Sequence, residues 1–208
     1  MKLKAPTGRT TQPFRSQSDR DAMASYLRRK NTRDYALFMF GMRTGRRISD
    51  LVKLNVSDVA EIDKRGRLCV KERMEIGEKK TGKYIDLIIH PHARRALSLY
   101  FRHRMKEAPS KGNLLLQPLF KSKKANKEGE YRISTQHAWR VLNSAAKACR
   151  LNYKVGTHSL RKTFGYLLYQ NEISIELIQK LLNHSSPQVT LAYIGITRDD
   201  MDEAILSM

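Results

Sequence analysis

The chain has 208 residues, with 40 lysines and arginines against 20 acids and a formal charge of +20. That length suits one fair-sized domain with a real core, and a domain so basic calls for a polyanionic partner. No apolar run is long enough to cross a bilayer, and Met1 to Pro6 does not lead into the apolar stretch of a signal peptide, which argues against membrane insertion and secretion. Cys69 and Cys149 are far apart and lack metal-ligand spacing, so a reducing, cytoplasmic setting is expected.

Residues 1–15 are basic, hold Pro6, Gly8 and Pro13, and read as a mobile tail or the stub of a linker. Ser16 or Ser18 can cap a helix that runs through Met23 and Leu27 to about Lys30. A second helix runs from Thr32 through Leu37, Phe38, Phe40 and Met42, and both are amphipathic. Gly45 interrupts the second helix within Arg43-Thr44-Gly45-Arg46-Arg47, and another begins with Leu51, Val52 and Leu54 on its apolar side. Taken alone, this stretch is a helical hinge with solvated arginines.

Two β-strands are expected next from branched and alternating residues: one through Leu68, Val70, Met74 and Ile76, the other from Tyr84 to Ile89. Glu78 to Lys83 is the turn between them. Pro91 opens a helix with Ala93, Ala96, Leu97, Tyr100 and Phe101, and His90 and His92 beside it lack a third metal ligand. Leu114 to Phe120 is a short apolar piece, followed by the charge run Lys121 to Lys127, which suits solvent or phosphates equally. Ser134 caps a helix with Ala138, Val141, Leu142, Ala145 and Ala146 inside. Its other face, with His137, Arg140 and Lys147, could lie along a DNA groove.

The last fifty residues carry the chemistry. Leu160, Phe164, Leu167 and Leu168 fall at helical spacing, and His158 and Arg161, three apart, share one rim of that helix. Ile175, Ile178, Leu181 and Leu182 make a second helix that stops at Asn183-His184-Ser185-Ser186-Pro187. The serines and the proline start a third helix there, with His184 at the corner. Tyr193 follows within two turns, before Gly195 ends the element. Thr197 to Asp200, then Met201, Ala204, Ile205 and Met208, read as a capped amphipathic helix.

The run HSLRKTFG, then LLNHSS, then TLAYI resembles the catalytic end of the tyrosine recombinases, the phage-integrase family of site-specific DNA recombinases. That family orders its residues Arg, Lys, His-x-x-Arg, His or Trp, Tyr. Its motif T-G-x-R-x-S-[DE]-L is met from Thr44 to Leu51: Arg47 matches the first arginine, Asp50 the acid after it, and Arg46 stands at the variable position. Lys80, in K-T-G, matches the hairpin lysine, with Lys79 and Lys83 as near alternatives. The likeness extends over residues 17–197. It implies a mainly helical α+β catalytic domain with a small antiparallel sheet over 16–197, preceded by the 1–15 tail and followed by a 198–208 helix that docks on its own core or on a neighbouring protomer.

What the resemblance implies about activity agrees with elementary chemistry. Phosphodiester attack passes through a five-coordinate state with charge on the non-bridging oxygens, and fixed cations there stabilise it preferentially. Arg47 and Arg161 can grip those oxygens bidentately. The Tyr193 phenol, with an ordinary pKa near 10, needs a base or a positive field; His158 is the candidate base, His184 the group that holds the phosphate, and Lys80 the acid for the departing 5′-hydroxyl. The implied reaction cleaves and rejoins DNA through a 3′-phosphotyrosyl link with no metal, nucleotide or other cofactor, and integrates, excises or inverts a segment. Its partners would be double-stranded DNA at a specific site, further protomers in a tetrameric synapse, and a DNA-bending accessory protein.

Larger family members carry a separate helical DNA-binding domain ahead of the catalytic one, and the stretch before Ser16 is too short for it. The chain is therefore expected to be either a domain cut from a longer protein, a compact recombinase like those that invert promoter segments, or a minimal mobile-element integrase. Its DNA affinity should be modest and salt-sensitive. The rival reading is a catalytically silent DNA-binding or architectural protein, for which keeping all six positions together has no chemical reason. A metal-dependent nuclease lacks its carboxylate cluster.

Overall fold

The computed structural model describes residues 10–77, 84–107 and 111–196, together with 202, 205 and 206. In chain order the elements are α1 (Gln17–Lys30), α2 (Thr32–Thr44), α3 (Ile48–Leu51), α4 (Val56–Val59), β1 (Ala60–Ile62), β2 (Leu68–Val70), β3 (Arg73–Gly77), β4 (Tyr84–Ile88), α5 (Pro91–Glu107), α6 (Lys111–Leu115), α7 (Thr135–Ala148), α8 (Thr157–Gln170), α9 (Ile175–Leu182) and α10 (Pro187–Ile194). This is the expected mainly helical α+β architecture.

α2 is the hub. Its residues from Ala36 through Met42 are all buried, the pattern of a helix packed on every side, and it touches α1, α5, α7 and α8. One core cluster joins α2 to α5 and the strands through Leu37, Phe40, Leu97, Phe101 and Phe120. A second joins it to α1, α7 and α8 through Phe38, Met23, Leu142 and Leu160. Each such side chain contributes about 1.5–3 kcal/mol by leaving water. A third, smaller cluster holds α8, α9 and α10 together through Tyr166, Ile178, Leu182 and Ile194. Gly165 permits that approach, since a Cβ there would meet Ile194 Cγ2 at 2.6 Å.

The helix starts are set by side chains that satisfy orphan amides. Ser16, Asn31, Ser134, Ser174 and Ser186 each accept a backbone N–H of the helix they precede. Pro187 opens α10 in its first turn.

The β region departs from the two strands expected. It forms two separate antiparallel pairs, β1 with β2 (Ala60 opposite Val70) and β3 with β4 (Arg73 opposite Ile88, Gly77 opposite Tyr84). β1 arises because Gly66, at φ 71, turns the chain while the Asp63 carboxylate accepts the backbone N–H groups of Arg65 and Arg67. Its three residues are too few to show a period in the sequence. The turn of the β3–β4 pair, with Lys79, Lys80 and Lys83, lies outside the described residues, as does most of the expected C-terminal helix. Ile205 and Leu206 are helical and exposed.

Residues 10–15 correct the expectation of a mobile tail. Phe14 is wholly buried, meets the ring of Phe38 edge-on at 5.5 Å, and donates its N–H to Thr163 Oγ1 at 2.8 Å. Gln12 N–H donates to Lys154 O, and the Arg15 guanidinium donates to Gly195 O. One aromatic residue in a basic, proline-flanked stretch is enough to seat it.

Truncating a buried aromatic costs about 3–5 kcal/mol. Phe14→Ala should lower the urea unfolding free energy by that amount with an unchanged m-value, whereas a tail residue would shift it hardly at all.

Candidate active site

Two breaks between helices meet at one place. α2 ends at Gly45, whose φ of 63 is the left-handed cap conformation. A Cβ there would meet the Phe164 ring at 2.3 Å, so the hinge lies flat against α8. Arg47 follows in extended backbone, as the residue immediately before α3. α9 ends at Asn183, also left-handed at φ 48, and α10 begins after Ser186.

Arg161 joins these breaks. It is almost fully buried, and its Nη1 donates to Gly45 O at 2.7 Å while its Nη2 donates to Leu182 O. Arg46, at the variable position of the motif, is buried too; its Nε donates to Thr44 O at 3.3 Å and its Nη2 to Leu181 O. Two guanidinium groups thus cap the last carbonyls of α9, where the helix dipole is negative. Sequence reasoning left Arg46 out, and its signal there was only its place beside Arg47.

A cavity of about 360 Å³ opens over this junction, lined by Arg47, His158, Arg161, Asn183, His184, Ser185, Val189 and Tyr193. Five of the six expected residues therefore share one cavity, and the sixth, Lys80, lies outside the described residues. Asp50, the acid of the motif, is buried one turn after Arg47.

The electrostatics follow from burial among cations. Desolvation, then Arg161 and Arg47, push His184 down to about 4. Desolvation, then Arg161, Lys162 and Arg47, lower His158 as well. Burial raises the Tyr193 phenol, and the charge of Arg161, its side-chain hydrogen bonding to the phenol and then the charge of Arg47 oppose that rise. The Tyr193 hydroxyl is buried without a well-aligned hydrogen bond among the described residues. His184 meets the Tyr193 ring edge-on at 4.7 Å between centroids, and Lys162 Nζ lies 5.4 Å from the centre of that ring. Lys162 was not singled out from the sequence, although it adjoins Arg161.

Such a cavity is built for an anion. Its polar lining is guanidinium, imidazole, amide, hydroxyl and phenol, and no group of three His, Cys, Asp or Glu side chains converges to hold a metal among the described residues. The His90 and His92 rings pack edge-on at 5.1 Å, with no third metal-ligating side chain converging on them among the described residues.

A histidine whose folded pKa lies below its unfolded value of about 6.5 leaves the unfolded state binding more protons in between. Stability is then fully present above about pH 6.5 and declines as the pH falls toward 4, the value for His184. NMR titration of the DNA-free protein should show His184 neutral down to about pH 4; titration near 6.5 would contradict the cationic cage.

The likeness to known proteins agrees with this geometry. The sequence profile of the Phage integrase family matches residues 16–199. A probable integrase/recombinase of Bacillus subtilis strain 168, YoeC, is 39% identical over 188 residues, 90% of this chain and 91% of that protein. Tyrosine recombinase XerD of Corynebacterium glutamicum is 28% identical over 171 residues, 82% of this chain and 51% of that protein. The chain thus spans about half the length of the Xer relative. Among solved structures, XerA recombinase superposes with a TM-score of 0.70 at 21% identity, over 98% of this chain and 66% of that one, a likeness of fold. The chain belongs to the phage integrase family.

Proposed function

We propose that the protein is a site-specific DNA recombinase that cuts and rejoins strands through a 3′-phosphotyrosyl intermediate, with no metal or nucleotide. The observation that carries this reading is the single cavity in which Arg47, His158, Arg161 and His184 surround the buried phenol of Tyr193.

The reaction follows from those groups. A DNA phosphate entering the cavity meets Arg47 and Arg161 at its non-bridging oxygens, where charge grows as the five-coordinate state forms. Arg161 is held by two backbone carbonyls, so its charge is already in place before reaction. Tyr193 Oη attacks phosphorus, its proton passes to a neutral imidazole of His158 or His184, and the 5′-oxygen leaves with a proton from Lys80. The reverse attack by a 5′-hydroxyl restores the phosphodiester, and strand exchange results when that hydroxyl comes from the partner duplex. One ester replaces another, so no external energy is required.

DNA is the partner this chemistry implies, and solved structures of similar fold include XerH recombinase bound to its difH substrate and a lambda integrase dimer bound to a core site. The reading includes a cytoplasmic setting, assembly on DNA as a four-protomer synapse, a DNA-bending accessory protein, and integration, excision or inversion as the outcome. A silent DNA-binding protein would have no chemical use for a phenol buried among four basic groups. The 198–208 segment is assigned to docking on a neighbouring protomer, and the exposure of Ile205 and Leu206 supports that assignment.

Incubation with nicked duplexes carrying the genomic flanks, without metal, should yield a covalent protein–DNA adduct. Tyr193→Phe should abolish it with DNA affinity kept within about two-fold, since one hydroxyl out of a mainly phosphate-driven interface is lost. Lys80→Ala should slow cleavage by about 10²–10⁴ and be rescued by a 5′-thiol leaving group, which needs no proton. Lack of rescue would remove Lys80 as the acid. Deleting the last ten residues should leave adduct formation intact and reduce paired-duplex complexes in gel shifts; unchanged pairing would discard the docking role.

A further inference from the structure

Thr190 has no place in the motif that defines the site, yet it is fully buried and touches one of its members. Its Oγ1 lies 3.2 Å from His184 Nδ1 and 3.1 Å from the carbonyl oxygen of Ser186, one turn back on α10. A threonine hydroxyl has a single proton, and a carbonyl can only accept. The hydroxyl donates back to Ser186 O, and with its proton there it accepts toward His184. Nδ1 must then carry hydrogen, and the neutral ring is left with a bare lone pair on Nε2. The residue's backbone is fixed independently: His184 N–H donates to Gln179 O and the Gln179 amide donates to His184 O, both at 3.1 Å.

We propose that Thr190 is a positioning residue that holds His184 as the Nδ1–H tautomer, so that Nε2 takes the Tyr193 proton and the resulting imidazolium then donates to a non-bridging phosphate oxygen. The Oη–P bond forms, the P–O5′ bond breaks, the phenol proton ends on Nε2, and the proton for O5′ comes from the separate acid. Thr190 and Tyr193 are three apart on α10, so one helix seats both the group that sets the tautomer and the proton donor. A tryptophan, which the family also uses at this position, can only donate. A histidine held in this tautomer donates only after gaining a proton, and Tyr193 beside it has one to give. The charged and titratable groups around His184 are Arg161, His158 and Lys162 of α8, Arg47 ahead of α3, and Tyr193. The arginines oppose an imidazolium, and a phosphate anion between them would offset that.

The inference deepens the recombinase reading and rests on it for the rate, whereas the tautomer can be read from the protein alone. Long-range ¹H–¹⁵N NMR of the wild-type protein at pH 7 should show a protonated Nδ1 and an unprotonated Nε2 for His184. Thr190→Val should erase that preference and slow adduct formation about ten-fold, the worth of one lost hydrogen bond, with DNA affinity kept. Thr190→Ser should restore both. Adduct formation by the wild type combined with a protonated Nε2, or with Thr190→Val at full rate, overturns this inference alone. Absence of any wild-type adduct overturns the recombinase reading and the proton transfer with it. Should the valine variant fail to fold, the wild-type tautomer and the serine variant still decide.

Discussion

The burial of Arg161 against the carbonyls of Gly45 and Leu182 is the interaction on which the rest of the site depends. It ties the end of α2, the body of α8 and the end of α9 with one side chain, and the residue is 3% exposed. A charge-assisted hydrogen bond contributes about 1.5–3 kcal/mol, and a buried guanidinium left without such partners would be costly. Arg46 repeats the device one carbonyl earlier, at Leu181. The same contacts that fix the fold therefore fix a positive charge at the floor of the cavity, and neither role can be relaxed without the other.

That arrangement sets the state of every other group. Burial, and then the cations low in the cavity, lower both histidines, while burial raises the Tyr193 phenol against the arginines' pull. The cavity thus sets a proton donor beside two imidazoles and two guanidinium groups. In the recombinase reading we propose, a phosphate diester brings negative charge to these cations, lowers the cost of an imidazolium and places the electrophile beside the phenol, electrostatics prearranged for a transition state.

Most of this was legible before the structure. The helices through Met23, Ala93, Leu142 and Leu160 place apolar residues at helical spacing, Ser16, Asn31 and Ser134 cap α1, α2 and α7, and Pro91 and Pro187 open α5 and α10, so most of these starts follow from local chemistry. The residues that line the cavity were legible because phosphate chemistry demands their types and the family their order. What escaped has a common cause. Arg46, Thr190 and Phe14 act through partners 135, 6 and 149 residues away or through a carbonyl, and no spacing within a helix or strand reports such contacts. β1 and β2 escaped because three residues hold too little alternation to be read.

The segment around Phe14 bears on the site more than its place outside the motifs suggests. Phe14 N–H is held by Thr163 of α8, two residues after Arg161, and Arg15 donates to Gly195 O, the residue that caps α10 two positions after Tyr193. The Arg15 guanidinium also lies 5.3 Å over the Tyr166 ring in the cluster that packs α8 against α10. Residues 12–15 thus strap the helix of the buried arginine to the helix of Tyr193. The distance between guanidinium and phenol is then set jointly by the Gly165–Ile194 approach inside the cluster and by this strap outside it, which makes the seating of Tyr193 a property of residues 12–15 as much as of α10.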